Sequence, residues 1–330
     1  MKVYGIGNPL IDILATVDDS GLEALSLHKG TMHLIDRARH ARIIDYLKGH
    51  DLVYSPGGSC PNTMVTLRMM GVETTIAGGV GQDELADIYR DKLRQVGVHD
   101  ELVTYDESTG TSIILLTADK ERTMNTYLGA NRCFKKEDVD LDSLSQAGLF
   151  YFTGYMWDTE AQKGAVMKAL EYCKGHGIKV AFDVADPFAV GRYRQKFLSL
   201  IEEHCDIVFA NSEEARYLFD NYDAYECCRS MAKLCPTAIV KNGKKGSFVA
   251  DHGRIMEIPV QGSSHPVDTT GAGDTYAAGF LYGVAMGLDA RTSGEIASCL
   301  AGEIISSLGA QFSKEDAARV RDHIEKTYLK

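Results

Sequence analysis

The decisive stretch of the sequence reads Asp268-Thr269-Thr270-Gly271-Ala272-Gly273-Asp274, and an almost wholly apolar segment, 275–281, follows it directly. The apolar segment predicts a buried helix, and the small residues before it let backbone amides converge at the helix N-terminus, where anions bind. A carboxylate at Asp274 would repel a bound phosphate unless it has a task, such as removing a proton from an attacking hydroxyl. The alternative is a glycine-rich turn in which Asp274 caps the helix. The full string before a buried helix favours the anion site.

Strands and helices alternate upstream of this stretch. Apolar residues recur at helical spacing over about 158–175, and a second helical stretch extends to about residue 203. Such alternation predicts an α/β fold with a doubly wound, mostly parallel sheet that is flanked by helices. The predicted strands of this sheet are 149–152, 179–182, 206–209 and 238–241.

The first half of the chain favours a second, smaller sheet. Its short predicted strands are 12–17, 31–35, 111–117 and 122–127, with a polar hairpin connection between the last two. We therefore predict a small β lid made of 11–36 and 101–127. The main α/β domain would comprise 1–10, 37–100 and 128–330. Ligands of open parallel sheets bind beyond the carboxyl ends of the strands. Polar residues follow or end several predicted strands there: Asp12, Asp183, Asn211 and Lys241.

Composition narrows the class of protein. The 330 residues are 45% hydrophobic and carry a formal net charge of -11, which describes an acidic globular protein with a sizeable core. An acidic balance argues against nucleic-acid binding, which depends on Lys and Arg. The eight cysteines form no C-x-x-C pair and no zinc-spaced set with histidine. The N-terminus lacks a signal-peptide pattern, and no apolar stretch is long enough to cross a membrane, so a cytoplasmic location is predicted.

The motifs resemble those of the ribokinase-like (PfkB) carbohydrate kinase family, in order and spacing, over nearly the whole chain. Within the family the sequence is most similar to the adenosine kinase-like members. Besides the 268–274 string, the resemblance is carried by Gly5-Ile6-Gly7-Asn8-Pro9-Leu10-Ile11-Asp12, Gly57-Gly58-Ser59-Cys60-Pro61-Asn62, Gly78-Gly79-Val80-Gly81-Gln82-Asp83 and Asn211-Ser212-Glu213-Glu214.

The resemblance implies an ATP-dependent kinase in which Asp274 is the general base. The amides of Gly271, Ala272 and Gly273 would form an anion hole, and Arg122 of the lid would meet the transferring phosphate. The implied ATP-binding residues are Asn211, Lys241, Gly243, Gly246, Thr270, Gly271 and Gly273. Asn211 and Glu214 offer oxygen ligands to Mg²⁺, with water between the side chains and the ion. Capping of a helix by Asn211, with Glu214 in its first turn, is the alternative. A monovalent cation is left open.

The implied substrate site has a polar end and an apolar end. Asp12, Gly57, Gly58 and Asn62, with Asn8 nearby, would hold the hydroxyls of a sugar. An apolar pocket for a nucleoside base would be formed by Met124, Leu128, Tyr155 and Phe188, which suit a purine. The expected reaction is phosphorylation of the 5′-hydroxyl of adenosine or a related nucleoside. Cys60-Pro61 and the 183–187 stretch depart from animal adenosine kinases, so a kinase of ribose, fructose or another free sugar remains the alternative.

Other classes of protein fit the sequence less well. A dinucleotide-binding oxidoreductase is supported only by Gly5 and Gly7, because Leu10 replaces the third glycine of that fingerprint. A Walker A motif is absent from the sequence, which argues against a P-loop kinase. A non-catalytic regulator that binds a ligand on the same fold is a further alternative, and the intact Asp274 argues against it. The expected partners are a small sugar or nucleoside and ATP, in a monomer or homodimer.

Overall fold

Two β-sheets form the framework of the protein. The structure is a computed structural model, and it describes residues 1–262 and 266–329. The strands in chain order are β1 (Lys2–Ile6), β2 (Leu10–Thr16), β3 (Met32–Leu34), β4 (Val53–Gly57), β5 (Glu73–Val80), β6 (His99–Thr104), β7 (Gly110–Leu116), β8 (Arg122–Tyr127), β9 (Leu149–Thr153), β10 (Lys179–Asp183), β11 (Ile207–Asn211), β12 (Thr237–Lys241), β13 (Ser247–Asp251) and β14 (Arg254–Ile258).

Helices connect most of these strands. In chain order they are α1 (Asp19–Ala24), α2 (Arg37–Tyr46), α3 (Ser59–Met69), α4 (Glu84–Val96), α5 (Leu141–Ser145), α6 (Glu160–His176), α7 (Pro187–His204), α8 (Ser212–Phe219), α9 (Ala224–Met231), α10 (Ala272–Ala285), α11 (Ala290–Ile304) and α12 (Lys314–Tyr328). No helix within the described ranges is long and apolar enough to span a membrane.

The large sheet has the strand order β14-β13-β12-β11-β10-β9-β1-β5-β6. Its strands pair in parallel from β6 to β12, and the last two pairings, β12 with β13 and β13 with β14, are antiparallel. Successive side chains of a strand face opposite sides of a sheet. Leu149 and Tyr151 accordingly belong to one buried core, whereas Phe150 and Phe152 belong to the other. The expected doubly wound α/β sheet, covered on both faces, is confirmed.

The small sheet has the order β3-β8-β7-β2-β4 and differs from the predicted lid at two places. Strand β4 pairs antiparallel with β2, so Val53–Gly57 belongs to the small sheet although the sequence placed it in the main domain. Strand β6 pairs with β5 at the edge of the large sheet, so His99–Thr104 extends past the expected start of the lid at residue 101. Sequence patterns specify a strand but not its partner, because pairing depends on residues far away in the chain.

Helix α10 runs from the decisive stretch through the core. All its residues from Thr275 to Gly283 are buried, as the apolar sequence predicts. A Cβ at Gly279 would lie 2.6 Å from the Cα of Ala297, so this glycine allows α10 and α11 to pack closely. The same helix packs against α3. Its first turn, which carries Asp274, is therefore held against the first turn of α3.

Candidate active site

Asp274 lies in the first turn of α10 and is fixed by three residues of α3. Ser59 Oγ donates a hydrogen bond to one carboxylate oxygen at 2.6 Å, and Asn62 Nδ2 donates to the other at 3.0 Å. Thr63 Oγ1 donates to the backbone carbonyl of Asp274 at 3.1 Å. The N-cap of α10 is Gly271, so the alternative in which Asp274 caps this helix is not what the structure shows.

The carboxylate of Asp274 is an unusually strong base for an aspartate. Burial raises its pKa to about 6, although the hydrogen bonds from Ser59 and Asn62 act in the opposite direction. The neighbouring carboxylate of Asp183 raises the pKa further, and the Lys241 ammonium lowers it. The group is therefore mostly ionised at pH 7 but holds a proton more tightly than an exposed aspartate does.

The loop before α10 leaves backbone amides available. Gly271 has a φ of +73°, in the left-handed region, and a Cβ there would lie 2.7 Å from the Cα of Ala310. A glycine is required at this N-cap because another residue would be strained and would clash. The cap makes no side-chain hydrogen bond. The Ala272 amide donates to the Thr269 carbonyl at 3.2 Å, so it would have to share its hydrogen with an anion. The helix start is thus suited to an anion.

A buried ion pair lies beside this helix start. Lys241 Nζ is 2.9 Å from a carboxylate oxygen of Asp183, and it lies 3.4 Å from where a Cβ of Gly273 would stand. Burial alone would lower the pKa of Lys241, but the carboxylates of Asp183 and Glu214 raise it above its ordinary value. The lysine is therefore charged, and its ammonium faces the same region as the amides of the loop.

Asn211 and Glu214 form a capping box at the start of α8. The side-chain oxygen of Asn211 accepts from the Glu214 amide at 2.9 Å, and the Glu214 carboxylate accepts from the Asn211 amide at 2.7 Å. This is the helix-capping alternative that the sequence left open. Burial raises the pKa of Glu214 to about 7, with Lys241 opposing and Asp183 adding to the rise. Within residues 1–262 and 266–329, no group of three or more His, Cys, Asp or Glu side chains is arranged to hold a metal. A role of Asn211 and Glu214 toward Mg²⁺ stays a prediction.

A cavity of about 560 Å³ opens in front of Asp274, between the small sheet and the carboxyl ends of the large sheet. Its volume falls within the range of about 300–1,000 Å³ that is typical of small-molecule sites. Residues predicted for the substrate site that line it are Asn8, Asp12, Gly58, Asn62, Met124, Leu128, Tyr155 and Phe188. Thr270 and Gly271 of the anion loop line it too.

The polar end of the cavity is built around Asp12. This residue lies inside β2, not after a strand as the sequence suggested. Burial raises the pKa of Asp12 to about 7, the charge of Asp274 adds to the rise, and Arg122 opposes it. A Cβ at Gly57 would lie 2.4 Å from the Asp12 carboxylate, and a Cβ at Gly58 would lie 2.1 Å from the Asn8 carbonyl. The two glycines therefore prevent clashes within the protein itself. 

The apolar end of the cavity is more open. Tyr155 is held by a hydrogen bond from its hydroxyl to the Ala185 carbonyl at 3.2 Å. Phe188 lies in the first turn of α7 and is 63% exposed. Met32 and Leu34 of β3 complete the lining together with Met124 of β8. The two β3 residues were not predicted, because the pairing of β3 with β8 brings them there.

Arg122 joins the small sheet to the anion loop. Its guanidinium donates to a carboxylate oxygen of Asp268 at 2.8 Å and also to the hydroxyl of Thr270. Asp268 accepts further hydrogen bonds from the amides of Thr270 and Gly309, both at 2.9 Å. These bonds lower the pKa of Asp268, against the effect of burial. Arg122 thus stands beside the predicted phosphate site, held by a carboxylate that is itself fixed.

Gly243 and Gly246 lie in the connection between β12 and β13. Both have positive φ values, and a Cβ at Gly246 would lie 2.2 Å from the Ile258 carbonyl. Among the described residues, the lining of the cavity includes neither of them, nor Asn211 or Lys241. Their assignment to ATP is therefore independent of this cavity and remains a prediction.

Sequence reasoning missed several residues of the site. Gln162 donates to the Asn8 side-chain oxygen at 2.6 Å, and Gln311 donates to the Asn62 side-chain oxygen at 3.0 Å. Thr126 also lines the cavity, two positions from Met124 on the same strand. Strand periodicity could have indicated Thr126 once Met124 was assigned to the cavity. No sequence signal marks the two glutamines, because their partners lie more than a hundred residues away.

The architecture and the site define the class of protein before any relative is considered. A buried base in the cavity, a helix start suited to an anion, and the cationic side chains of Arg122 and Lys241 beside that helix start suit the transfer of a phosphoryl group to a small molecule. The model of the pfkB family of carbohydrate kinases matches residues 32–317. The chain belongs to this family, and it is accordingly a kinase whose family implies the use of ATP, typically with Mg²⁺.

Individual relatives include kinases with different acceptors. The crystal structure of adenosine kinase from Sinorhizobium meliloti is 35% identical, with a TM-score of 0.89 and coverage of 98% of this chain and 99% of that one. A probable sugar kinase from Rhizobium etli is 32% identical, with a TM-score of 0.89 and coverage of 98% of each chain. Adenosine kinase from Saccharomyces cerevisiae is 27% identical over 94% of this chain and 96% of its own length.

Proposed function

We propose that this kinase transfers the γ-phosphoryl group of ATP to the 5′-hydroxyl of adenosine or a related nucleoside. The observation that carries the proposal is the shape of the cavity, in which a polar end at Asp12 and Asn62 continues into an apolar end at Tyr155 and Phe188. A nucleoside likewise has a polar part, the ribose, and a flat apolar part, the base attached at C1. The polar end fits the sugar, and the aromatic end fits the flat face of a base.

Asp274 is the proposed general base. It would accept the proton of the 5′-hydroxyl as that oxygen attacks the γ-phosphorus. Its pKa of about 6 lies close below neutral pH, which is favourable for a group that must be ionised and yet take a proton. Ser59 and Asn62, both on α3, would orient the carboxylate.

The phosphate groups would be stabilised by the opposite side of the site. The amides of Gly271, Ala272 and Gly273 would receive the negative charge that develops on the transferring group, and Arg122 would add its own charge from the small sheet. Lys241 lies close enough to Gly273 to contribute to the same field. The Thr270 hydroxyl accepts from Arg122 and donates to Asp268 at 2.7 Å, so it would have to leave Asp268 to donate to a phosphate oxygen.

The oxygen-rich groups near α8 fit Mg²⁺ held through water. The side chains of Asn211 and Glu214 offer oxygen atoms, which Mg²⁺ prefers, and it usually keeps several waters of its own. Bound with ATP, the ion would neutralise phosphate charge. Both carboxylate oxygens of Glu214 already accept hydrogen bonds from Asn211, so they would meet the water of a hydrated ion through their remaining lone pairs.

The small sheet is the proposed lid. It covers the cavity with residues of β2, β3 and β8, and closing it would keep water away from the phosphoryl group. Arg122 would then be delivered to the phosphate by the lid. Substrate should protect the amides of the small sheet, at 11–36, 53–57 and 110–127, from hydrogen exchange, and unchanged exchange there would contradict a closing lid.

A panel of acceptors tests the proposal. Adenosine, other nucleosides, ribose and fructose are each supplied with ATP and Mg²⁺, and the release of ADP is measured, with Asp274→Asn as the matched inactive control. Adenosine or another nucleoside should have the highest kcat/KM. The sugar kinase reading, supported by the similarity to the Rhizobium etli protein, would be established if ribose or fructose equals every nucleoside. Binding of acceptor and ATP without any ADP release would support a non-catalytic regulator instead.

A further inference from the structure

The segment between α11 and α12 packs against the anion loop. The Gly309 amide donates to Asp268, and the Val267 amide donates to the Ile305 carbonyl at 2.8 Å. Gly271 allows the loop to approach Ala310 closely. These contacts fix the backbone on both sides of the loop, and they place the side chain of the next residue, Gln311, at the edge of the active site.

Gln311 joins the small sheet to α3 through its side-chain nitrogen. Nε2 donates to the Pro56 carbonyl of β4 at 3.0 Å and to Oδ1 of Asn62 at 3.0 Å. An amide nitrogen has two hydrogens, so these two bonds use both. Gln311 therefore contacts Asn62 from the side opposite to Asp274.

The polarity of this chain of hydrogen bonds is fixed at both ends. The Pro56 carbonyl can only accept, so the nitrogen of Gln311 must face it. The same nitrogen then faces Asn62, which must present its oxygen to Gln311 and its nitrogen to Asp274. The ionised carboxylate of Asp274 also can only accept, which demands the same orientation of Asn62. The Pro56 carbonyl and the Asp274 carboxylate thus require the same orientation of the Gln311 and Asn62 side-chain amides.

We propose that Gln311 is a positioning residue for phosphoryl transfer, because it holds the Asn62 amide with Nδ2 directed at Asp274. The proposal rests on the proposed role of Asp274 as general base. Without Gln311, the Asn62 amide can rotate by half a turn when Asp274 takes up a proton, and Oδ1 then accepts a hydrogen bond from the carboxylic acid. That bond stabilises the protonated form of Asp274, which is inactive as a base.

Other titratable groups also surround Asp274, and they are unchanged by a substitution at Gln311. They come from the small sheet, from α3 and from the carboxyl ends of the large sheet, and they are Asp12, Cys60, Tyr151, Tyr155, Asp183 and Lys241. A shift seen between two variants that differ only at Gln311 therefore reports on the hydrogen bonds that Gln311 controls.

The test is the pH dependence of kcat/KM in a double-mutant cycle. Gln311→Met keeps the length of the side chain and removes its donors. It should move the acid limb of the profile upward by about one pH unit, the size expected when a hydrogen bond to a charged group is lost. In an Asn62→Ala background, the same substitution should move the limb by no more than the scatter of the fits, because the intermediary is gone. The matched control is Gln261→Met, which loses a hydrogen bond to Tyr328 and does not line the cavity.

Two results would overturn the proposal. One is an unchanged acid limb in Gln311→Met, and the other is an equal shift in both backgrounds. Thermal unfolding of each variant shows whether it folds. If Gln311→Met does not fold, Gln311→Glu replaces it, since a carboxylate would accept from Asn62 and turn its oxygen toward Asp274. The added charge acts in both backgrounds, so the difference between them still carries the test. If Asp274→Asn retains turnover, the proposed role of Asp274 as general base is wrong. That result is distinct from an unchanged acid limb in Gln311→Met, which contradicts only the role of Gln311.

Discussion

The two ends of the cavity are built in different ways. At the Asp274 end, hydrogen bonds from α3 hold the carboxylate, and a glycine with positive φ shapes the loop beside it. At the other end, apolar side chains line the cavity beside the charged groups of Asp158, Asp186 and Arg192, and Phe188 is 63% exposed. The fixed end contains groups that any phosphoryl acceptor would need, whereas the open end contains groups that only a larger acceptor reaches. Substitutions should therefore harm every acceptor at the first end and only nucleosides at the second.

The largest effect is expected at Asp274. Asp274→Asn keeps the shape of the side chain but cannot accept a proton, so kcat should fall by about 10²–10⁴-fold for every acceptor that the enzyme uses. ATP binding and the unfolding temperature serve as controls for an intact site. A variant that retains more than about a tenth of the wild-type kcat would contradict the assignment of the base.

The second-largest loss of kcat is expected at Arg122. Arg122→Ala removes a charge from the proposed phosphate site, and the loss of one such donor typically costs about 10²–10³-fold in kcat. Arg122→Lys restores the charge but not the fork of donors, so it should recover part of the rate. Equal activities of the wild type and Arg122→Ala, measured at saturating ATP, would leave Arg122 with a structural role at Asp268 only.

Tyr155 sharpens the comparison because its effect should depend on the acceptor. Stacking of a base on an aromatic ring is worth about 1–3 kcal/mol in nucleic-acid complexes. Tyr155→Ala should accordingly lower kcat/KM for the best nucleoside by roughly ten- to a hundredfold and leave ribose turnover nearly unchanged. Tyr155→Phe is the control, since it keeps the ring and loses the bond to the Ala185 carbonyl. An equal loss of kcat/KM for ribose and for nucleosides would mean that Tyr155 has only a structural role.

The smallest effect is expected at Asp12, where a substitution should raise the stability of the protein. The pKa of Asp12 is raised to about 7 in the folded state, so its contribution to stability is present at low pH and is lost as pH rises through 7. Asp12→Asn has no ionisable group at this position, so its stability does not fall for this reason as pH rises. At pH 8 the variant should unfold roughly 2–6 °C above the wild type, and the difference should shrink toward pH 5. Thermal scans at the two pH values measure it, and an equal difference at both would argue against a buried charge.

The fold was largely predictable because its signals are local. The strands that end at Thr153, Asp183 and Asn211 are apolar runs between helical segments, so their type and parallel pairing follow from the sequence. Strand β4 was assigned to the other domain because three of its residues, Val53 to Ser55, are exposed and give no periodic burial signal. Its partner, β2, is set by the path of the whole chain.

The site was predictable where a motif is contiguous and, through the family resemblance, at the four isolated apolar positions that line the cavity. The string that ends at Asp274 places the base and the anion loop together. By contrast, Asn211 and Glu214 suit both a helix cap and a magnesium site, since the same oxygen atoms serve either purpose, and the structure shows the cap. Gln311 had no signal at all, because its role arises from two hydrogen bonds that the fold alone creates.

The small sheet also has a consequence for how the chain folds. Strands β2 and β7 pair with Leu10 opposite Gly110, and the residues between them include β5 and β6 of the large sheet. Closing so long a loop costs conformational entropy that is regained only once the intervening elements have formed. We therefore expect the small sheet to assemble late, on a large sheet that already exists. Newly made chains would then pass through a state in which the large sheet is complete and the cavity is not yet covered.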